Sequence, residues 1–124
     1  VKGWPTDTYG VGGPTRPPAP SITGVRVDSE GLLWVFIRTA GAGWKDAWPP
    51  NAANREIRYG EVRHDILHDT RVEVLDPDAK RMITRIDLED YIVAVLPNGR
   101  AAAYSPTEDG EPRVRILELS LLRR

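Results

Sequence analysis

Two segments of the chain share one pattern of alternating apolar and polar positions. Residues 24–36 and 92–104 align on Gly31 and Gly99, and each consists of an alternating strand, a tight glycine turn and a second strand. Alternation with period two is typical of strands, and glycine supplies the positive φ that tight turns require. The alignment pairs three further positions: Val25 with Val93, Val27 with Val95, and Phe36 with Tyr104. A repeated strand–turn–strand unit predicts the stacked sheets of a β-propeller.

Further alternating runs and turn signals complete the prediction of two units. Residues 32–39 form an almost continuous apolar run, which predicts a strand covered on both faces. Asp76-Pro77 and Asn98-Gly99 are strong turn signals. The predicted strands are 22–28, 32–39, 71–76, 81–87, 91–96, 100–105 and 113–119. The sequence therefore predicts an all-β chain of about two propeller blades, each a four-stranded antiparallel sheet, with the last blade lacking one strand.

The distribution of proline and glycine divides the chain into three parts. Residues 1–21 are rich in both and predict a connector or, equally well, an unstructured terminus. Residues 22–90 are the predicted first blade, and residues 91–124 are the predicted second, incomplete blade. The first blade is much longer than the second between its second and third strands, which indicates an insertion at about 40–69.

Residues 24–35, Gly-Val-Arg-Val-Asp-Ser-Glu-Gly-Leu-Leu-Trp-Val, resemble the opening of a blade in bacterial six-bladed β-propellers of the NHL-like kind. Residues 73–77, followed by Arg81, resemble the outer hairpin of such a blade. The resemblance implies a secreted or periplasmic protein. A closed six-bladed ring needs about three times as many residues as this chain has. The resemblance thus implies either the C-terminal part of a longer propeller or a short unit that assembles from several copies, so the chain needs further blades or self-association.

Composition excludes several classes of partner and chemistry. The 17 basic and 18 acidic residues give a net charge of −1 without a basic stripe, so nucleic acid is not an expected partner. No apolar run is long enough for a membrane span. The chain has no cysteine and hence no disulfide or thiolate. Neither a nucleophile elbow nor a phosphate-binding glycine loop is present, and no cofactor is expected.

The predicted insertion carries two candidate binding residues, Trp44 and Trp48, in a segment rich in glycine and proline. Loops between second and third strands lie at the end of a propeller where ligands usually bind. Two tryptophans there predict a stacking surface for a sugar or an aromatic ligand. The alternative, favoured about two to one, is that both rings anchor the loop by packing.

His64 and His68 are the second pair of candidate binding residues and are the only histidines of the chain. On a helix they share one face, and His64-Asp65 followed by His68 superficially resembles the zinc motif His-Glu-x-x-His. Aspartate is shorter than the glutamate that the motif requires, and a third ligand would have to be a carboxylate. A structural or solvent-facing role is therefore the favoured interpretation. Asp28 resembles the carboxylates that hold calcium in lactonase-like propellers, but two blades supply no complete ligand set, so no metal site is predicted.

Two functions from different classes remain open at this level. The favoured one is a propeller fragment that binds a small molecule or a protein on its loop end and has no catalytic motif of its own. The alternative is part of a metal-dependent propeller enzyme, a lactonase or lyase, which the resemblance implies and the pair of His64 and His68 also motivates.

Overall fold

Seven strands in two antiparallel sheets make up the computed structural model, which describes residues 13–122. Sheet 1 has the order β1 (Ser21–Val27), β2 (Leu33–Ala40), β3 (His68–Asp76) and β4 (Arg81–Leu88). Sheet 2 has the order β5 (Tyr91–Val95), β6 (Arg100–Tyr104) and β7 (Val114–Glu118). The predicted all-β class is confirmed, with four strands in one sheet and three in the other. Residues 1–12 of the predicted connector and residues 123–124 lie outside the described part.

The strand bounds agree with the sequence pattern except at the start of β3. This strand begins at His68, whereas the prediction was residue 71, because His68 pairs with Ala40 at the end of β2 and lengthens the ladder. A register shift between Val74 and Leu75 is a second departure from simple alternation. The shift makes Met82 the partner of Leu75, so Met82 lies on the face of Arg85 and Asp87, opposite the face of Thr84 and Ile86.

The two aligned hairpins of the sequence repeat also have matching backbone geometry. At the first turn the N–H of Asp28 donates to the carbonyl of Leu32 over 3.0 Å, and at the second the N–H of Leu96 donates to the carbonyl of Arg100 over 2.8 Å. The two aligned glycines have φ angles of +81° and +76°. The β1–β2 and β5–β6 hairpins therefore close in the same register around the same left-handed glycine.

A single apolar core lies between the two sheets. The larger side chains of this core come from sheet 1, and sheet 2 contributes mostly small residues. The buried members are Leu32, Trp34, Phe36, Val72, Val74, Ile92, Ala101 and Ala103. Large rings packed on alanines allow the two sheets to approach closely without a void.

The two sheets contact each other through faces that are not equivalent in the repeat. We call face A the face that carries Trp34 in sheet 1 and its aligned counterpart Ala102 in sheet 2. Face B is the opposite face, with Leu33 in sheet 1 and its counterpart Ala101 in sheet 2. Since Trp34 and Ala101 both belong to the common core, face A of sheet 1 packs on face B of sheet 2. The sheets thus stack head to tail, as one repeat unit following another.

The antiparallel order brings the insertion to one end of the sheets. Residues 41–67, 89–90 and 105–113 connect strands at this insertion end, and the turns at 28–32, 77–80 and 96–99 lie at the opposite, turn end. Within residues 13–122, no helix is long and apolar enough to cross a membrane.

Candidate functional site

The insertion between β2 and β3 folds around a small core of its own. It contains three short 3-10 segments, Trp44–Ala47, Ala52–Asn54 and Tyr59–Glu61, and one turn of helix, α1 (His64–Leu67). Ala47, Val62 and Leu67 are its buried residues. The N–H of Gly41 donates to the carbonyl of Leu67 over 2.8 Å, which ties the two ends of the insertion together. The predicted insertion is therefore an ordered platform beside the sheets.

Trp44 and Trp48, the first predicted pair of binding residues, both pack against this small core. The ammonium of Lys45 lies 5.6 Å from the ring centroid of Trp44. The indole nitrogen of Trp48 is buried and has no hydrogen-bond partner among the described residues. Their contacts are those of anchoring side chains, which is the packing alternative weighed from the sequence. The stacking surface that they were predicted to form stays a prediction.

His64 and His68, the second predicted pair, lie next to each other but not on one helix. Helix α1 ends at Leu67, and His68 is already the first residue of β3. The two rings are nearly parallel, with centroids 6.1 Å apart. Within residues 13–122, no three histidine or carboxylate side chains are arranged to hold a metal ion.

The histidines belong to a stack of rings that includes residues not predicted from the sequence. Tyr59 stacks on His64 with 4.1 Å between ring centroids, and Tyr91 stacks on His68 at 5.5 Å. The guanidinium of Arg38 lies 4.9 Å from the centroid of Tyr91 and closes the stack as a cation–π contact. Residues from β2, the insertion, β3 and β5 therefore meet in one aromatic cluster at the insertion end.

Both imidazoles of this cluster are neutral at neutral pH. Burial and the neighbouring charge of Arg38 lower the pKa of His68 to about 4. Burial also lowers the pKa of His64, although the carbonyl of Tyr59 acts in the opposite direction. His64 Nε2 lies 3.1 Å from this carbonyl oxygen, which can only accept, so Nε2 carries the proton and Nδ1 is left as an acceptor. Burial raises the pKa of Tyr91, which keeps its phenol neutral as well.

A cavity of about 520 Å³ opens beside the aromatic cluster. It lies between the end of the insertion and sheet 2, and its lining includes Tyr59, His64, Asp65, Tyr91, Tyr104 and Pro106. The carboxylate of Asp65 receives both arms of a bidentate ion pair from Arg63, at 3.1 and 3.0 Å. The paired charges leave a cavity with aromatic walls, neutral ring nitrogens and phenol groups.

All three tyrosines within residues 13–122 line this cavity. A signal for two of them was present in the sequence. The Asn98-Gly99 turn sets the register of a hairpin in which Tyr91 pairs with Tyr104 at the far end of the strands. The convergence of Tyr59 and Arg38 on Tyr91 depends on how the insertion folds, and the local pattern carries no information on that.

A second cavity, of about 570 Å³, lies at the turn end, where Arg26, Trp34 and Asn98 are part of its lining. Here the indole N–H of Trp34 donates to Asp28 Oδ2 over 2.9 Å. Asp28 Oδ1 accepts from the backbone N–H groups of Glu30 and Leu32. Burial opposes ionisation of Asp28, but these hydrogen bonds outweigh it and lower the pKa of the carboxyl. The carboxylate considered as a calcium ligand is therefore engaged in forming its own turn.

No family model, no curated protein and no solved structure matches this chain.

Proposed function

We propose that this chain is a blade pair of the β-propeller kind that binds a neutral carbohydrate in the cavity at its insertion end. The observation that carries the proposal is the aromatic cluster of Tyr59, His64 and Tyr91 at the wall of a cavity of about 520 Å³. Pockets for small molecules combine apolar and aromatic walls with a few polar groups that fix orientation. Tyrosine supplies both features, a flat ring and a hydroxyl.

The charge state of the cavity favours a neutral ligand. Its histidine is uncharged at neutral pH because burial lowers the pKa. The Asp65 carboxylate is held by Arg63 in a two-armed ion pair. A ligand with many hydroxyl groups needs hydrogen-bond donors and acceptors beside a flat apolar surface. Because it is neutral, it does not need a free charged side chain in the cavity to offset the cost of leaving water.

Two further features of the proposal come from the resemblance to bacterial propellers. The chain is proposed to be exported, and its sheets are proposed to be blades of a ring that further units complete. The second candidate ligand for the insertion end of the sheets is a protein. The head-to-tail stacking of sheets 1 and 2 supports the blade assignment, because propeller blades stack in this way.

Calorimetric titration with a panel of neutral mono- and oligosaccharides tests the binding proposal. Tyr59 is well exposed, so Tyr59→Ser removes a ring of the cavity wall at little cost in stability. Leu122→Ser removes an exposed apolar side chain outside the cavity and is the control. We expect a loss of affinity of about tenfold or more for Tyr59→Ser and none for the control. Equal affinity of both variants, or no saccharide binding by the wild type, would overturn the proposal.

A further inference from the structure

Equivalent positions in the two sheets differ sharply in exposure. Phe36 pairs with Val72 in sheet 1, and its counterpart Tyr104 pairs with Val114 in sheet 2. By the same register, Ile116 in sheet 2 corresponds to Val74 in sheet 1. Val72 and Val74 are 1% and 2% exposed because sheet 2 covers them, whereas Val114 and Ile116 are 56% and 57% exposed. Face A of sheet 2 thus has the apolar residues of a packed face without a sheet packed on it.

Face B of sheet 1 has the converse mismatch. Val95 on face B of sheet 2 packs in the core between the sheets, whereas its counterpart Val27 in sheet 1 is 66% exposed. Val25 on the same strand and Met82 on β4 are also exposed on this face. In each sheet, one face is used in the internal contact, and the other carries apolar side chains that are more than half exposed.

The sizes of the side chains on the two open faces are complementary. The internal contact joins the large Trp34 and Phe36 of sheet 1 and the small Ala101 and Ala103 of sheet 2 in one core. Face A of sheet 2 has alanines at its centre, Ala94 paired with Ala102. Face B of sheet 1 has larger residues at the same level, Leu33 and Val35 on β2. Val35 and Ala102, at the centres of the two faces, are each 8% exposed, so the exposed apolar surface comes from the residues around them, namely Val25, Val27, Met82, Val114 and Ile116.

We propose that face A of sheet 2 binds face B of sheet 1 in a second copy of this chain, head to tail. The internal contact between the sheets is the template, because it already joins a face A to a face B. Every copy carries one open face of each kind, so the association continues from copy to copy and closes into a ring when the rotation per copy allows it. The inference is argued from exposure and register and does not rest on ligand binding, although Tyr91 and Tyr104 of the cavity wall lie on the same face A of sheet 2.

Two substitutions on opposite faces test the head-to-tail arrangement by sedimentation velocity or by light scattering during gel filtration. Ile116→Asp places a charge on face A, and Val27→Asp places a charge on face B. Both positions are more than half exposed, so the monomer tolerates a charge there. Ile86→Asp, at an equally exposed apolar residue on the edge strand β4, is the matched control.

The expected pattern has four parts. The wild type and Ile86→Asp have molar masses above the 13.8 kDa of one chain. Each of the two face variants alone is monomeric, because every contact would include one charged face. An equimolar mixture of the two face variants forms a dimer and nothing larger, because one intact face A and one intact face B remain. Circular dichroism of each variant matches the wild type.

Three results would overturn the proposal. The first is a wild type that remains monomeric at every concentration tested. The second is a face variant that still associates by itself, since a contact between two copies of one face needs only that face. The third is a mixture of the two variants that stays monomeric. Tyr91 and Tyr104 of the cavity wall lie on face A of sheet 2, so a bound second copy would adjoin the ligand site. Saccharide titration of Val27→Asp, whose face A is intact and is expected to be uncovered, tests the ligand site separately from association.

Discussion

Gly24 of β1 lies directly against Val95 of β5, so closely that a Cβ atom on residue 24 would overlap Val95 Cγ2. Gly24 pairs with Phe36 and lies on face A of sheet 1, where the second sheet packs. The missing side chain is what allows β1 and β5 to approach. In the sequence repeat Gly24 aligns with Ile92, so the second unit has no glycine at the equivalent position.

Gly24→Ala is therefore expected to force the sheets apart and to lower the free energy of unfolding by about 1–3 kcal/mol. Chemical denaturation of the purified chain measures the change. Gly60→Ala is the matched control, because a Cβ there meets no atom within 4 Å. Adding Val95→Ala should recover part of the loss in Gly24→Ala, as contacting positions are not additive. Full additivity of the two substitutions would contradict this close approach.

Thr70 connects the sheets through a pair of hydrogen bonds. Its hydroxyl donates to the carbonyl of Asp90 over 2.8 Å and accepts from the N–H of Ile92 over 3.3 Å. Thr70→Val keeps the shape of the side chain but leaves both backbone groups unpaired in a buried place, so we expect a loss of about 1–3 kcal/mol in unfolding free energy.

Thr70→Ser is the control for this prediction, because it retains the hydroxyl and removes only a methyl group. Its loss is expected to be clearly smaller than that of Thr70→Val. The reverse order in thermal unfolding would show that packing of the methyl group, and not the hydroxyl bridge, holds the start of β5 in place.

His68 is expected to make the fold sensitive to mild acid. Its folded-state pKa of about 4 lies below the ordinary 6.5, so the folded state favours the neutral ring. The stability linked to this ring is fully present above pH 6.5 and is lost as the pH falls from there through about 4. The lowered pKa of His68 corresponds to a loss of about 3 kcal/mol in the free energy of unfolding once the pH is below both pKa values.

His68→Phe keeps a flat ring against Tyr91 and cannot take up a proton. We expect the urea midpoint of the wild type to fall further than that of His68→Phe between pH 7 and pH 4.5. Proton NMR of the imidazole gives the independent check. A His68 titration near pH 6.5 in the folded protein, or parallel acid sensitivity of both proteins, would show that the ring is not protected.

Trp48 is expected to stabilise the insertion and not to bind saccharide. The Trp48 ring packs on the core of Ala47, Val62 and Leu67. Trp48→Ala should therefore lower the melting temperature and reduce the free energy of unfolding by about 3 kcal/mol. Trp48→Phe should cost less than about 1.5 kcal/mol, because the indole nitrogen has no partner among the described residues to lose. A Trp48→Ala protein with normal stability and weakened saccharide binding would reverse this assignment.

The strands were predictable because their signals are local. Alternation, the Asn98-Gly99 turn and the aligned Gly31 all act within a few residues, and the backbone follows them closely. The early start of β3 was missed because pairing of His68 with Ala40 is a contact across the insertion. Strand ends depend on such partners, whereas strand centres depend mainly on the pattern.

The candidate site was only half predictable, for a related reason. His64 and His68 were recognised as a pair from their spacing, but the rings that complete the cluster come from distant segments. Tyr59, Tyr91 and Arg38 meet through the fold of the insertion and through the stacking of sheet 2 on sheet 1. Tryptophan and tyrosine are equally able to line a cavity or anchor a loop, and only the three-dimensional contacts separate these roles.

The most direct test of the binding proposal is to map saccharide-induced shifts in the amide NMR spectrum of the isotope-labelled chain. We expect the changes to concentrate at Tyr59–Asp65, at the start of β5 and at residues 104–110, which surround the cavity. The amides of Trp44–Ala47 and of the turn-end hairpins should stay in place. Shifts confined to the Trp44–Trp48 segment or to the turn end, with none at Tyr59 and Tyr91, would contradict the account.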